Sequence, residues 1–106
     1  MTFTPEVPMN TVRPIRYTLR IDPDLIRFSF SGNVEIELEA RRPVDHVFLN
    51  ILELAVWSCT LNVNDKNLLC SFQVDPEKEK LIINLPETVE GVFCLIIEYQ
   101  IGRAHV

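Results

Sequence analysis

Between Phe28 and Ala40 the chain reads FSFSGNVEIELEA, with an apolar residue or glycine at every even position and a polar residue at every odd position between them. Side chains alternate faces along a strand, so this period of two places one face on a core and the other in water. A helix would scatter the same apolar residues around its whole surface. Gly32 is in phase with the apolar set yet has no side chain, which predicts a bend or a close backbone neighbour. The stretch reads as a long antiparallel strand on which the rest of the chain packs.

The remainder repeats the pattern in shorter pieces. Residues 1–12 hold Pro5 and Pro8, show no periodicity and read as an extended lead-in. Ile15, Tyr17, Leu19 and Ile21 alternate with Arg16, Thr18 and Arg20, giving a first strand closed by Asp22-Pro23-Asp24. Arg41-Arg42-Pro43 ends the long strand, and Val47 and Leu49 suggest a short third one. Leu54 and Val56 open a fourth, but the apolar phase then slips by one residue to Cys59, Leu61 and Val63. Such a slip predicts a β-bulge near Trp57-Ser58. Asn64-Asp65-Lys66 reads as a hairpin turn into a fifth strand carrying Leu68, Cys70, Phe72 and Val74. After the charged turn from Asp75 to Lys80, a sixth strand with Leu81, Ile83 and Leu85 is expected to stop at Pro86. Gly91 opens the last one, VFCLIIEYQ, which is apolar on both faces and therefore central or doubly covered. Seven short strands with no helical periodicity predict an all-β fold, a sandwich or strongly curved antiparallel sheet.

Composition narrows the function classes. A chain of 106 residues is enough for one core, and its net charge of −5 argues against nucleic acid or an anionic membrane as the main partner. No apolar run reaches the ~20 residues that span a bilayer. The opening MTFTPEVPMN has neither the basic nor the apolar region of a secretory signal. Cys59, Cys70 and Cys94 are odd in number, lack CxxC spacing and lie in apolar strand patterns, so they read as buried free thiols in a reducing compartment. A cytoplasmic location is the resulting expectation.

Residues able to carry chemistry are sparse. His46 and His105 are far apart and have no partners at metal-ligand spacing, and His46, on a short strand, reads as structural or surface. Glu35, Glu37 and Glu39 form an acidic row, but carboxylates about 7 Å apart along a strand repel one another and suit a solvated face paired with Arg or Lys across the sheet. Trp57 is expected to wedge into the core beside the bulge. There is no HExxH, no GxSxG, no glycine-rich phosphate loop and no Ser/His/Asp set.

Several motifs together resemble one family. Val12-Arg13-Pro14-Ile15-Arg16-Tyr17-Thr18-Leu19-Arg20-Ile21 is similar to the V-x-P-x-x-Y-x-L-x-L opening of the M1 zinc aminopeptidases. At family spacing follow Asp22-Pro23-Asp24-Leu25 and then Phe30-Ser31-Gly32-Asn33-Val34-Glu35-Ile36-Glu37-Leu38, which resembles F-x-G-x-V-x-I-x-L. Pro43, Val47-Phe48-Leu49-Asn50 and Leu54-Ala55-Val56 resemble the stretch P-T-x-x-I-x-L-H followed by L-x-I. Departures are Val7-Pro8 for the Leu-Pro lead-in, Val44 for threonine and Asn50 for histidine. The resemblance covers residues 8–100 and is nearest to the aminopeptidase N and puromycin-sensitive branch.

The resemblance implies the first part of a saddle-like N-terminal β domain (residues 13–100) that packs on a thermolysin-like catalytic domain and caps its active site. It implies a parent that removes N-terminal residues from peptides, with zinc held by an HExxH and a later glutamate. Those residues, the GxMEN loop and the acidic or amide group that binds the substrate amine all fall beyond residue 106. No catalytic, cofactor-binding or metal residue of the family can therefore be placed on this chain, and the chain itself is expected to bind no zinc. Its expected partners are the rest of its own N-terminal domain, the catalytic domain and, in the parent, a peptide substrate. A free-standing β-sandwich interaction module, immunoglobulin-like or fibronectin-like, is the alternative, although the Cys…Trp…Cys signature is missing. The resemblance stops at Gln100. Ile101 to Val106 can be encoded by ATC GGA AGA GCA CAC GTC, a run that coincides with a common sequencing adapter, so this tail is expected to be non-native.

Overall fold

The computed structural model describes residues 2–6, 12–24, 26, 29–52 and 54–101. These form six strands: β1 (Thr2–Glu6), β2 (Val12–Asp24), β3 (Ser29–Leu52), β4 (Leu54–Val63), β5 (Lys66–Asp75) and β6 (Lys80–Ile101). All pairings are antiparallel, in the order β1-β3-β6-β4-β5, with β2 also on β3 and β5 also on β6. The expected all-β antiparallel fold is what forms, and it is one sheet that folds over on itself.

Two of the expected breaks are corners, which reduces seven strands to five, and β1 in the expected lead-in makes the sixth. The second and third expected strands are one element, β3, and the sixth and seventh are one element, β6. Pro86 lies within β6. Were β6 straight, Asn84 and Ile97 would lie about 43 Å apart at ~3.3 Å per residue. Yet Ser71 pairs with Asn84, while its neighbour Cys70 pairs with Cys59, which pairs with Ile97. Three strand spacings and one residue step bring the same two positions within about 20 Å. β6 therefore turns back between Leu85 and Gly91, where Pro86 lacks a donor and Gly91 has φ +84°. β3 turns with it, as register shifts between Ala40, Val44 and His46 record. The punctuation in the sequence is real; it bends paired strands without ending them.

The core lies inside this fold. Val34, Ile36, Leu38 and Ala40 of β3 are buried together with Val47 and Leu49 beyond the corner, as are Leu81, Ile83, Phe93, Leu95, Ile97 and Tyr99 of β6. β6 runs between β3 and β4, which agrees with the apolar character of both its faces. The bulge also falls where the phase slip placed it, since the β4–β6 register shifts between Val56 and Ser58. Asn64 (φ 50°) and Asp65 (φ 61°) make the two-residue hairpin turn, left-handed at both positions as the right-handed twist of the flanking strands requires. Asp75 caps the next turn, its Oδ1 accepting from the Glu77 and Lys78 amides at 3.1 and 3.2 Å.

Four expectations require correction. The lead-in of residues 1–12 is partly sheet, for Thr2–Glu6 pairs with Phe48–Leu52; Pro5 is tolerated there because β1 is an edge strand. Trp57 does not wedge into the core: it is the bulged residue, 62% exposed. Tyr17, Leu19 and Ile21 line up beside the buried row of β3 and Ile15 stands at a bulge between Pro14 and Arg16, yet all four remain half exposed, since among the described residues β2 pairs with β3 alone. Phe30, at the start of the central row, is likewise exposed. Phe28, His105 and residues 102–106 lie outside the described residues.

Candidate functional site

The solvent face of the sheet is where chemistry-bearing side chains collect. Alternation along β3, with a bulge at Ile15 that restores the phase of β2, puts Arg13, Arg16, Thr18 and Arg20 opposite Glu39, Glu37, Glu35 and Asn33 respectively. Arg13 Nε donates to Glu39 Oε1 at 2.8 Å, and Arg16 Nε lies 3.8 Å from Glu37 Oε2. The acidic row is thus a solvated face matched by arginines across the sheet, worth at most about 1 kcal/mol per exposed pair. Cys94 on β6 lies opposite Glu37 and, with Arg16, Thr18, Glu35 and Glu37, lines a shallow depression of about 80 Å³. Burial pushes the Cys94 thiol up, and the Glu37 and Glu35 carboxylates push it further, with Arg16 opposing them. Such a thiol holds its proton at neutral pH and makes a poor nucleophile.

The other candidates are dispersed. His46 lies exposed at the corner of β3, its Nδ1 2.7 Å from Asp45 Oδ1 and its ring edge-on to Phe48 at 5.0 Å. A second cleft, of about 220 Å³, is lined by the apolar Phe48 and Ile82 and by the charged Asp75, Lys78 and Lys80. Among the described residues no three of His, Cys, Asp and Glu gather at a distance that could hold a metal ion. The described residues therefore do not fit a zinc site.

Cys59 and Cys70 face each other across β4 and β5 inside the core, both as free thiols. Burial and then the neighbouring Cys70 push Cys59 up to about 12. Burial also raises Cys70, against the lowering effect of a hydrogen bond from the Leu61 backbone. The unfolded thiols ionise near ~8.5, so above that pH the unfolded chain has lost protons that the folded chain keeps. Stability is therefore expected to hold level up to about pH 8 and to fall between about pH 9 and 12. Urea midpoints measured from pH 7 to 11 check this, and Cys59→Val is expected to flatten the alkaline decline. A decline as steep in the variant would assign it to other groups.

Residues 13–102 match the model of the peptidase M1 N-terminal domain. The chain belongs to that family. A curated relative, the yeast protein Aminopeptidase 2, mitochondrial, of Saccharomyces cerevisiae, is 35% identical over 57 residues, covering 53% of this chain and 6% of the relative. An M1 zinc metallopeptidase from Deinococcus radiodurans superposes with a TM-score of 0.70 at 19% identity, over 92% of this chain and 22% of that one. A mutant of the Deinococcus enzyme bound to a Tyr-Ser-Ala substrate gives 0.69 at 19% identity, over 91% of this chain and 21% of that one. At this identity the structures attest the fold. The chain spans about a fifth of their length and a still smaller share of the yeast relative. The half-exposed apolar row of β2 is the feature that periodicity missed. Alternation marked Ile15–Ile21 as a strand with an apolar face, and nothing local says how far that face is covered.

Proposed function

We propose that this chain is the first part of the N-terminal domain of a zinc-dependent aminopeptidase that removes single residues from peptide N-termini. The segment is structural: its folded sheet packs on the rest of its own N-terminal domain and on the catalytic domain, and helps cap the active site. The observation that carries this reading is the family match over residues 13–102, supported by a sheet whose fold is that of M1 zinc metallopeptidases. Zinc and the peptide substrate belong to the parent, where a metal-activated water would attack the peptide bond. No helix is long and apolar enough to cross a membrane among the described residues. Three free thiols, two of them opposed in the core, suit a reducing compartment, and on that ground we place the parent in the cytoplasm.

The test compares the 106-residue chain with a longer product of the same gene. The longer product is expected to bind one zinc and to release the fluorophore from aminoacyl amides. The chain alone is expected to show no stoichiometric zinc binding by calorimetry and no turnover above a blank, for want of a ligand set. Zinc-dependent turnover by the chain alone, or a longer product without peptidase activity, would overturn the reading.

A further inference from the structure

We propose that Cys59 and Cys70 are a redox-responsive staple, which an oxidising disulfide buffer joins into the one intramolecular disulfide that this fold permits. The inference goes beyond the peptidase reading and does not depend on it. The bond lies within the β4–β5 hairpin, so it is independent of what covers the sheet elsewhere.

Register, facing and burial carry the assignment. Asn64 and Asp65 form a two-residue turn, which makes Val63–Lys66 the first, hydrogen-bonded pair of the hairpin ladder. The two kinds of pair alternate from there, so Leu61–Leu68 and Cys59–Cys70 are hydrogen-bonded pairs as well. Residues opposed in this way have Cα atoms about 5.5 Å apart, close to the commonest separation in disulfides. Both cysteines face the core, Cys59 at 0% and Cys70 at 4% exposure, and a thiolate at Cys70 disfavours one at Cys59. Cys94 faces the other way. It stands opposite Asn62 of β4 and Glu37 of β3, on the face where Arg16 and Glu35 collect, and the residue that β6 sets opposite Cys59 is Ile97. A bond from Cys94 to either core cysteine would need a side chain to cross the sheet.

The oxidant is a small-molecule disulfide, oxidised glutathione serving as the probe. Local opening of the hairpin exposes Cys70, the less enclosed thiol, which loses its proton to water and attacks one glutathione sulfur. The glutathione S–S bond breaks, a mixed disulfide forms and one glutathione leaves as its thiolate. As the hairpin closes, the Cys59 sulfur gives up its proton, attacks the Cys70 sulfur and expels the second glutathione. Two protein thiols have then lost two electrons, one glutathione disulfide has become two thiols, and the two protons have passed to them. In a reducing compartment the equilibrium rests with the thiols, and the staple forms as the pool turns oxidising. Closing the loop from Cys59 to Cys70 restricts the unfolded chain and so stabilises the folded one.

The 106-residue chain is equilibrated at neutral pH in mixtures of reduced and oxidised glutathione, starting from the reduced chain and from the oxidised chain. Arrival at one equilibrium from both sides removes slow access to the core as an explanation. Alkylation followed by peptide mass spectrometry is expected to find Cys94 alkylated and Cys59 cross-linked to Cys70. At half-oxidation, the squared concentration of reduced glutathione divided by that of the oxidised form is expected to be at least about tenfold higher in buffer than in urea, because the fold holds the pair together. The urea midpoint of the oxidised chain is expected to rise accordingly, and Cys94→Ser, a solvent-face change, to leave both results unchanged. A disulfide involving Cys94, glutathione adducts without the cross-link, or a half-oxidation ratio no higher in buffer than in urea would overturn the proposal.

Discussion

Ile36→Asp is expected to leave the chain unfolded in water, while Glu37→Ala, one residue away, is expected to shift stability by only about 0.5 kcal/mol. Ile36 is fully buried at the middle of β3, opposite Tyr17 on one side and Leu95 on the other. Truncating such a side chain costs about 2–5 kcal/mol before any polar group is considered. A carboxylate there adds the desolvation of a group with no partner in an apolar surround. That sum is a large part of the ~5–15 kcal/mol that holds a typical domain together. Glu37 points the other way, into the solvated row, and its longest-range tie is the exposed contact with Arg16. Urea denaturation of the two variants measures the contrast, and equal midpoints would show that the register of β3 is displaced by one residue.

Gly32→Ala is expected to destabilise the chain by about 1–3 kcal/mol. A methyl group at this position would overlap the backbone carbonyl oxygen of Arg20 on β2 and would stand 3.1 Å from Tyr99 Oη. The first obstacle is main chain in a paired strand, so relief requires β2 and β3 to move apart, and the neighbouring pairs Ile21–Gly32 and Arg20–Asn33 to move with them. Gly91 offers the control. Nothing lies within 4 Å of the place a methyl would take there, and the cost of Gly91→Ala is confined to its backbone at φ +84°, about 1–2 kcal/mol for a left-handed alanine. Asparagine, which tolerates that conformation, is expected to recover part of the loss at position 91 and none at position 32. Urea melts of the four variants separate close approach from backbone strain; a Gly32→Ala chain as stable as the parent sequence would remove the close approach.

Period-two patterns settled a good deal before any coordinates. Glu35, Glu37 and Glu39 declared one face of β3 as solvated, and Val34, Ile36 and Leu38 declared the other as core, because a strand leaves a side chain no third direction. The slip between Val56 and Cys59 located the bulge for the same reason: only an extra residue restores the phase. Gly32 announced a close neighbour, and the doubly apolar run from Val92 to Tyr99 announced a strand with partners on both edges. No comparable signal pointed to a catalytic set, and the family resemblance rested on spacing spread over some ninety residues.

What local pattern left open was how the strands close on one another. Pro86 and the run Arg41-Arg42-Pro43 read as strand ends, yet β3 and β6 bend there together and keep pairing, since two strands that turn in step preserve most of their ladder. Trp57 was placed in the core by its size, but a bulge frees its residue from the alternation that dictates facing, and the indole lies in solvent. Ile15, Tyr17, Leu19 and Ile21 alternate in sequence as the buried row of β3 does and are half exposed, since among the described residues β2 pairs with β3 alone. Sequence thus determined which face of each strand is apolar, a property of the residues themselves. Tertiary structure decided which of those faces is covered, since covering depends on partners distant in the chain and on the corner that brings the two halves of the sheet together.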